Sequence, residues 1–218
     1  MQPFHDRAMA GRELALLLQI YRGRDDLVVL ALPRGGVPVA FEVAHKLAAP
    51  LDVMIVRKLG APGRPEFAIG AIASGDVVVA DDEGTADGTY LASVMAAERE
   101  ELHRRENLYR EGRNALELEN HLALLVDDGA ATGASMQAAV RAVRKLGARE
   151  VVVALPVAAV EAYERLRAEA DRVVCINTPA EFAAVSSWYE DFSEVSDTQV
   201  RTALTRASED QAAAETSP

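Results

Sequence analysis

The feature that most constrains this chain is a recurrence of short apolar runs separated by longer stretches with helical spacing. The runs are LVVLAL (27–32), LDVMIV (51–56), HLALLV (121–126), EVVVALPV (150–157) and DRVVCI (171–176). They are rich in Val and Leu and lack polar alternation, which predicts strands buried on both faces, as in a parallel sheet between helix layers. Beyond the first run, Val39, Val43 and Leu47 mark one face of a helix with Pro38 in its first turn. Beyond the third, Met136, Ala139, Val140 and Val143 mark another helix, which stops before Gly147. The alternation predicts an α/β fold, an open and mainly parallel sheet flanked by helices. Half of the 218 residues are hydrophobic, enough for the core of one large domain.

Two segments interrupt the scheme. Residues 58–88 carry GAPGRP and then AIGAIASGDVVVA, which reads as a hairpin turning at Ser74, Gly75 and Asp76, either a lid-like insertion or a small addition to the sheet. Residues 90–112 read as a charged helix whose Glu100 and Arg104, and Glu101 and Arg105, stand at ion-pair spacing. The segment from about 178 to 204 holds the sole Trp and is expected to fold back onto a single domain spanning 1–206. From about Ala207 apolar anchors are few, so 207–218 is expected to be a flexible tail.

A formal charge of −11 argues against nonspecific nucleic-acid binding, which needs clustered cations to displace counterions from phosphates. It does not oppose a small anionic ligand held by local amides and a few cations. No apolar run of membrane-spanning length occurs, and MQPFHDRAMAGREL lacks the pattern of a secretory signal or lipidation motif, so no membrane partner and a cytoplasmic location are expected. The single cysteine, Cys175, lies in RVVCIN and reads as a buried strand thiol. His5, His45, His103 and His121 are scattered without ligand spacing, so a dedicated metal cage is not expected.

The stretch that carries chemistry is LLVDDGAATGAS, residues 124–135. A strand, a loop of tiny residues and a helix start place free N–H groups at the positive end of a helix dipole, where phosphate binds. Gly129, Ala130, Ala131, Gly133 and Ala134 allow close backbone approach, and Thr132 and Ser135 add hydroxyl donors. Asp127 and Asp128 are acceptors, suited to vicinal sugar hydroxyls or to a divalent cation that also grips phosphate. Equally, they are explained by an exposed turn with an Asx cap. No Gly-Lys-Ser or Gly-Lys-Thr occurs, and GAATGAS lacks the glycine spacing of a dinucleotide fingerprint.

These residues resemble the type I phosphoribosyltransferases, whose signature is a strand, two acidic residues, small residues, Thr-Gly and a helix. The resemblance implies that residues 129–135 hold the 5-phosphate of phosphoribosyl pyrophosphate (PRPP), while Asp127 and Asp128 engage the ribose hydroxyls and reach Mg²⁺, in part through water. LALPRGGVPVA (30–40) looks like the family's pyrophosphate loop, with Arg34, Gly35 and Gly36. Arg57 and Lys58 stand before the expected lid as cations for the leaving group, whereas Glu66 is open between metal, nucleophile and Arg64. The segment 178–204 takes the place of the family's hood, in which Trp188 and Tyr189 are candidates to stack on an acceptor ring.

The opening FHDRAMAGRELA and the ending FAAVSSWYEDF extend the resemblance to a subgroup of bacterial phosphoribosyltransferases of unsettled acceptor, covering about residues 4–204. It implies a Mg²⁺-dependent transferase of nucleotide metabolism, with PRPP and an unidentified acceptor as small-molecule partners, and a homodimer. The alternative is a non-catalytic PRPP-sensing or regulatory protein. Members acting on 6-oxopurines carry an acidic residue three positions after the second aspartate; here Ala131 occupies it, which counts against a hypoxanthine or guanine enzyme.

Overall fold

A computed structural model describes residues 2–61, 64–80, 88–110, 113 and 116–216. Its helices are α1 (Arg7–Leu17), α2 (Gly36–Leu47), α3 (Gly88–Arg110), α4 (Ala134–Lys145), α5 (Val160–Glu169) and α6 (Asp197–Thr216). The strands are β1 (Leu27–Ala31), β2 (Leu51–Val53), β3 (Val56–Ala61), β4 (Arg64–Ala73), β5 (Val77–Ala80), β6 (Leu122–Val126), β7 (Glu150–Val157) and β8 (Arg172–Asn177). Five of them form a parallel sheet in the order β2-β1-β6-β7-β8, and β3-β4-β5 form a separate antiparallel sheet.

The unbroken apolar runs follow from burial on both sides. Val29, Leu124 and Val152 face a cluster with Leu14 of α1, Val43 of α2 and Leu204 of α6. Their sequence neighbours Leu30, Leu125 and Val153 face the other cluster, with Val140 of α4 and Leu166 of α5. Alternation along each strand therefore divides the apolar residues between two helix layers instead of between core and water. The α/β architecture expected from the sequence is the one observed.

Two elements differ from the sequence expectation. LDVMIV is not one strand: β2 ends at Val53, Met54 N donates to Ala31 O at 2.9 Å, and Ile55 N donates to Ser74 Oγ at 3.0 Å. One apolar run thus passes from the parallel sheet to the antiparallel one, and hydrophobicity alone does not mark the handover. The hairpin does turn at Ser74–Asp76, between β4 and β5. Residues 62–63 and 81–87 of the expected insertion, and the side chain of Glu66, lie outside the described residues.

The second difference is at the C-terminus, where α6 continues through Thr216 in place of a tail from 207. Alanine-rich sequence favours helix without apolar anchors. The helix also has tertiary contacts: Ala207 packs on the core, the Arg206 guanidinium lies 5.2 Å from the Phe41 ring centre, and His45 Nδ1 is 3.3 Å from Asp210 Oδ2. Residues 217 and 218 lie outside the described residues.

Helix α1 lies unusually close to α2 at Gly11, where an added Cβ would stand 2.6 Å from Val39 O. The neighbour is backbone of a packed helix, so it cannot yield without moving α2. Gly11→Ala is expected to lower stability by about 1–3 kcal/mol, the usual cost of overpacking, despite the better helix propensity of Ala. The midpoint of urea unfolding checks this.

Candidate functional site

The site forms where two parallel strands end side by side. In the β1–β6 register Ala31 stands opposite Val126, and Leu32 N donates to Val126 O at 2.9 Å. The loop after β1, residues 32–36, is therefore laid against Asp127 and Asp128, the first residues beyond β6. Both glycines of that loop are required by this contact. A Cβ on Gly35 would stand 2.1 Å from Asp128 Oδ2, and one on Gly36 would stand 2.8 Å from Val126 O and 3.0 Å from Asp127 Oδ1. The Pro33–Arg34 peptide bond within the loop is cis.

Each aspartate commits one oxygen to the protein. Asp128 N donates to Asp127 Oδ1 at 2.9 Å, and Arg7 Nε donates to Asp128 Oδ2 at 2.7 Å. Burial and the neighbouring charge of Asp128 push the Asp127 carboxyl well above the usual carboxylate range. Burial raises Asp128 as well, against the opposing pull of the Arg7 guanidinium.

The loop from Gly129 to Ser135 runs from this pair into α4, with Gly133 as N-cap in the left-handed region at φ 76°. Ala130 is anchored to the neighbouring strand end: its N donates to Val157 O at 3.0 Å, and its O accepts from Ala159 N at 2.9 Å. Gly129 packs tightly, since a Cβ there would be 2.7 Å from Val185 Cγ1. Among the described residues, the N–H groups of Ala131, Thr132 and Gly133 have no hydrogen-bond partner, and Ala131 and Thr132 are exposed. Thr132 Oγ1 accepts only a long 3.4 Å contact from Ala134 N. Free amides, a hydroxyl and a helix start gathered in this way form an anion cradle.

The cations divide. Arg34, in the β1 loop, is engaged by carboxylates of the C-terminal segment, Glu194 at short range and Asp197 at 3.7 Å. Arg57 and Lys58, adjacent on β3, point to opposite faces. Arg57 Nε donates to Glu98 Oε2 of α3 at 2.7 Å. Lys58 is exposed and lines a small cleft with Ala134, Gln137 and Arg141 of α4, beside the anion cradle.

The two aromatic candidates serve the frame. Tyr189 is buried, with its ring 5.6 Å from Phe4 and 5.1 Å from Phe192, and its hydroxyl donates to Asp128 O at 2.6 Å. That ring offers no open face for stacking; it holds the backbone of the second aspartate. Trp188 is half-buried in the same cluster, and its carbonyl accepts from Phe4 N at 2.9 Å. Glu190 N in turn donates to Phe4 O at 2.8 Å, so the N-terminal segment and residues 188–190 are stitched together beside the site.

Sequence reasoning passed over Arg7, which lies in the N-terminal segment outside any charge pattern, and Arg165 of α5, whose guanidinium donates to Thr132 O at 3.2 Å. It also passed over Asn177, which ends β8 buried, its Oδ1 without a partner among the described residues. No role for these three is announced by local sequence, because each is placed by tertiary packing. The histidines are accounted for at the surface: His5 meets Glu190, His103 meets Asp76, and His121 Nδ1 lies 2.9 Å from Glu119 O. Cys175 lies on β8 as expected but is half-buried, not fully buried, and desolvation pushes its pKa up to about 12.

A parallel α/β sheet with a glycine loop and an acidic pair side by side at its carboxyl edge, next to free amides at a helix start, is the architecture of the phosphoribosyltransferase class. Residues 5–191 match the phosphoribosyl transferase domain model, and the chain belongs to that family. A Mycobacterium tuberculosis protein, named "Putative phosphoribosyl transferase" in strains H37Rv and CDC 1551, is 48% identical over 215 residues, 96% of this chain. The chain spans about half the length of that relative, 48% of it. The crystal structure of TT1426 from Thermus thermophilus superposes with a TM-score of 0.86 at 48% identity, covering 94% of this chain and 99% of that one. No helix among the described residues is long and apolar enough to cross a membrane.

The packing of Gly35 on Asp128 is directly testable. Gly35→Ala is expected to cost about 1–3 kcal/mol of stability and to swing the Asp128 carboxylate off Arg7. Denaturant unfolding reads the first effect, and a crystal structure of the variant reads the second.

Proposed function

We propose that this protein is a Mg²⁺-dependent phosphoribosyltransferase that moves the 5-phosphoribosyl group of PRPP to a nitrogenous acceptor and releases pyrophosphate. The observation that carries the proposal is the pairing of the Arg34-Gly35-Gly36 loop with Asp127 and Asp128, next to a cradle of unspent amides. Asp127 and Asp128 accept hydrogen bonds from the ribose hydroxyls. Residues 129–135 receive the 5-phosphate through the amides of Ala131, Thr132 and Gly133 and the hydroxyls of Thr132 and Ser135. Arg34 exchanges its carboxylate partners for pyrophosphate oxygens, and Lys58, beside the cradle, adds a second cation.

Among the described residues no group of three or more His, Cys, Asp and Glu forms a metal cage. Asp127 and Asp128, oxygen ligands of the kind Mg²⁺ takes, are the residues that would hold it, in part through water, together with the pyrophosphate it would accompany. When bound, it supplies neutralisation of the charge that develops on the leaving group. Bond breaking at the anomeric carbon builds positive charge on the sugar and negative charge on pyrophosphate, so the work of the chain is to hold both ends in place and to exclude water.

A nucleotide-metabolic, cytoplasmic setting and small-molecule partners belong to the same proposal. The homodimer is supported by the apolar side chains Leu16, Leu17 and Ile20, 50–64% exposed near the end of α1. Burial of Tyr189 moves the acceptor site away from that ring.

Calorimetry is expected to show Mg²⁺-dependent PRPP binding, most of which is lost when Asp127→Asn and Asp128→Asn are combined. Unchanged affinity in the double variant rejects the acidic pair as the ribose site. Thr132→Val is expected to weaken ribose 5-phosphate binding by about 1–3 kcal/mol, also measured by calorimetry. A screen of purines, pyrimidines, amines and aromatic acids for pyrophosphate release tests turnover. PRPP binding with no release across the screen replaces transfer by the PRPP-sensing alternative.

A further inference from the structure

Arg7 stands in the opening stretch FHDRAMAGRELA, and its guanidinium joins three segments. Nε donates to Asp128 Oδ2 at 2.7 Å, a terminal nitrogen donates to Ser193 O at 2.8 Å, and the guanidinium carbon lies 3.8 Å from the centre of the Phe192 ring. The Arg7 and Asp128 side chains are only 11% and 14% exposed. A planar group fixed by a carboxylate, a carbonyl and an aromatic face has one orientation, and it imposes that orientation on its partner.

The consequence for the acidic pair is found oxygen by oxygen. Asp127 Oδ1 is occupied by Asp128 N–H and lies against Gly36. Asp128 Oδ2 is occupied by Arg7 and lies against Gly35. Asp127 Oδ2 and Asp128 Oδ1 remain, one from each residue. No protein group hydrogen-bonds either oxygen among the described residues, and neither is a fully buried orphan.

We infer that Arg7 is a positioning residue for the sugar. By claiming Asp128 Oδ2 it presents Asp128 Oδ1, so that the two aspartates offer one oxygen each to a pair of vicinal hydroxyls. Without Arg7 the Asp128 carboxylate can rotate, and it faces the charge of Asp127 uncompensated. Among the described residues Arg7 makes no hydrogen bond or ion pair with residues 129–135, so its effect falls on the sugar hydroxyls and not on the phosphate. The inference rests on the proposal that the twin aspartates hold ribose.

The test uses the full chain and two probes, ribose 5-phosphate and inorganic phosphate, measured by calorimetry. Arg7→Met is expected to weaken ribose 5-phosphate about tenfold or more, the scale of a lost hydrogen bond to a charged group, while inorganic phosphate changes less than about twofold. Arg7→Lys keeps the charge without the planar fork and is expected to fall between Met and Arg. Loss confined to within about twofold for the sugar phosphate, or equal loss for both probes, overturns the assignment.

If Arg7→Met does not fold, Arg7→Lys is judged on the same contrast between probes. Crystals of the unaltered protein with ribose 5-phosphate give an independent reading. A sugar hydroxyl on Asp128 Oδ1, with Arg7 still on Oδ2, supports the inference; a hydroxyl on Oδ2 overturns it. If the unaltered protein does not bind ribose 5-phosphate, or the aspartate variants retain binding, the ribose proposal itself fails and Arg7 falls with it. If the aspartate variants lose binding and the Arg7 variants do not, Arg7 alone is wrongly assigned.

Discussion

Two residues without side chains allow one strand-end loop to rest directly on the carboxylates of the next, and the rest of the site is arranged around that contact. Gly35 and Gly36 leave no room for a methyl group between the β1 loop and the Asp127–Asp128 pair. Because β1 and β6 are parallel neighbours, their carboxyl ends arrive at the same edge of the sheet. A loop suited to one anion and an acidic pair suited to hydroxyls therefore meet without a connecting element. In an open parallel sheet this edge is where ligands bind, because loops there diverge and helix amino ends point outward.

The electrostatics of that edge are balanced by exchange. Arg34 is held by Glu194 and Asp197, and Asp128 is held by Arg7. Charges near the cleft are thus paired within the protein, which limits the cost of keeping them partly withdrawn from water. On the proposed reading, a phosphorylated ligand would replace the carboxylates of Glu194 and Asp197 at Arg34 and would not meet a bare cation. The Arg34–Glu194 pair is easily displaced, since the Glu194 side chain is 79% exposed and such contacts contribute little. The Arg7–Asp128 pair is far less exposed and stacked on Phe192, which suits a fixed part of the frame.

The layers of the fold were legible because burial on two faces leaves a direct trace in composition: Val29 and Leu30, or Val152 and Val153, must both be apolar if each faces a helix layer. The acidic pair and its loop were legible because Asp, Gly and Thr stand adjacent in sequence. What escaped was placed by contacts between distant segments. Arg7 and Asp128 are 121 residues apart, and Tyr189 reaches Asp128 O across 61. The handover from β2 to β3 was hidden inside one apolar run, since both sides of it are buried. The C-terminal helix was missed because alanine-rich sequence supplies propensity without an amphipathic stripe.

The pairing of Leu27–Ala31 with Leu122–Val126 joins strands about ninety-five positions apart, with β2, the whole antiparallel sheet and α3 in the connection. Closure entropy grows only with the logarithm of such a span, so the connection tolerates changes of length with little thermodynamic cost. Kinetics respond differently: pairing at this range is slow, and a chain growing from its amino end has no cleft until the later strand arrives. A ligand that recognised only the joined strand ends would favour the assembled state by mass action, acting as a clamp on that long-range pairing.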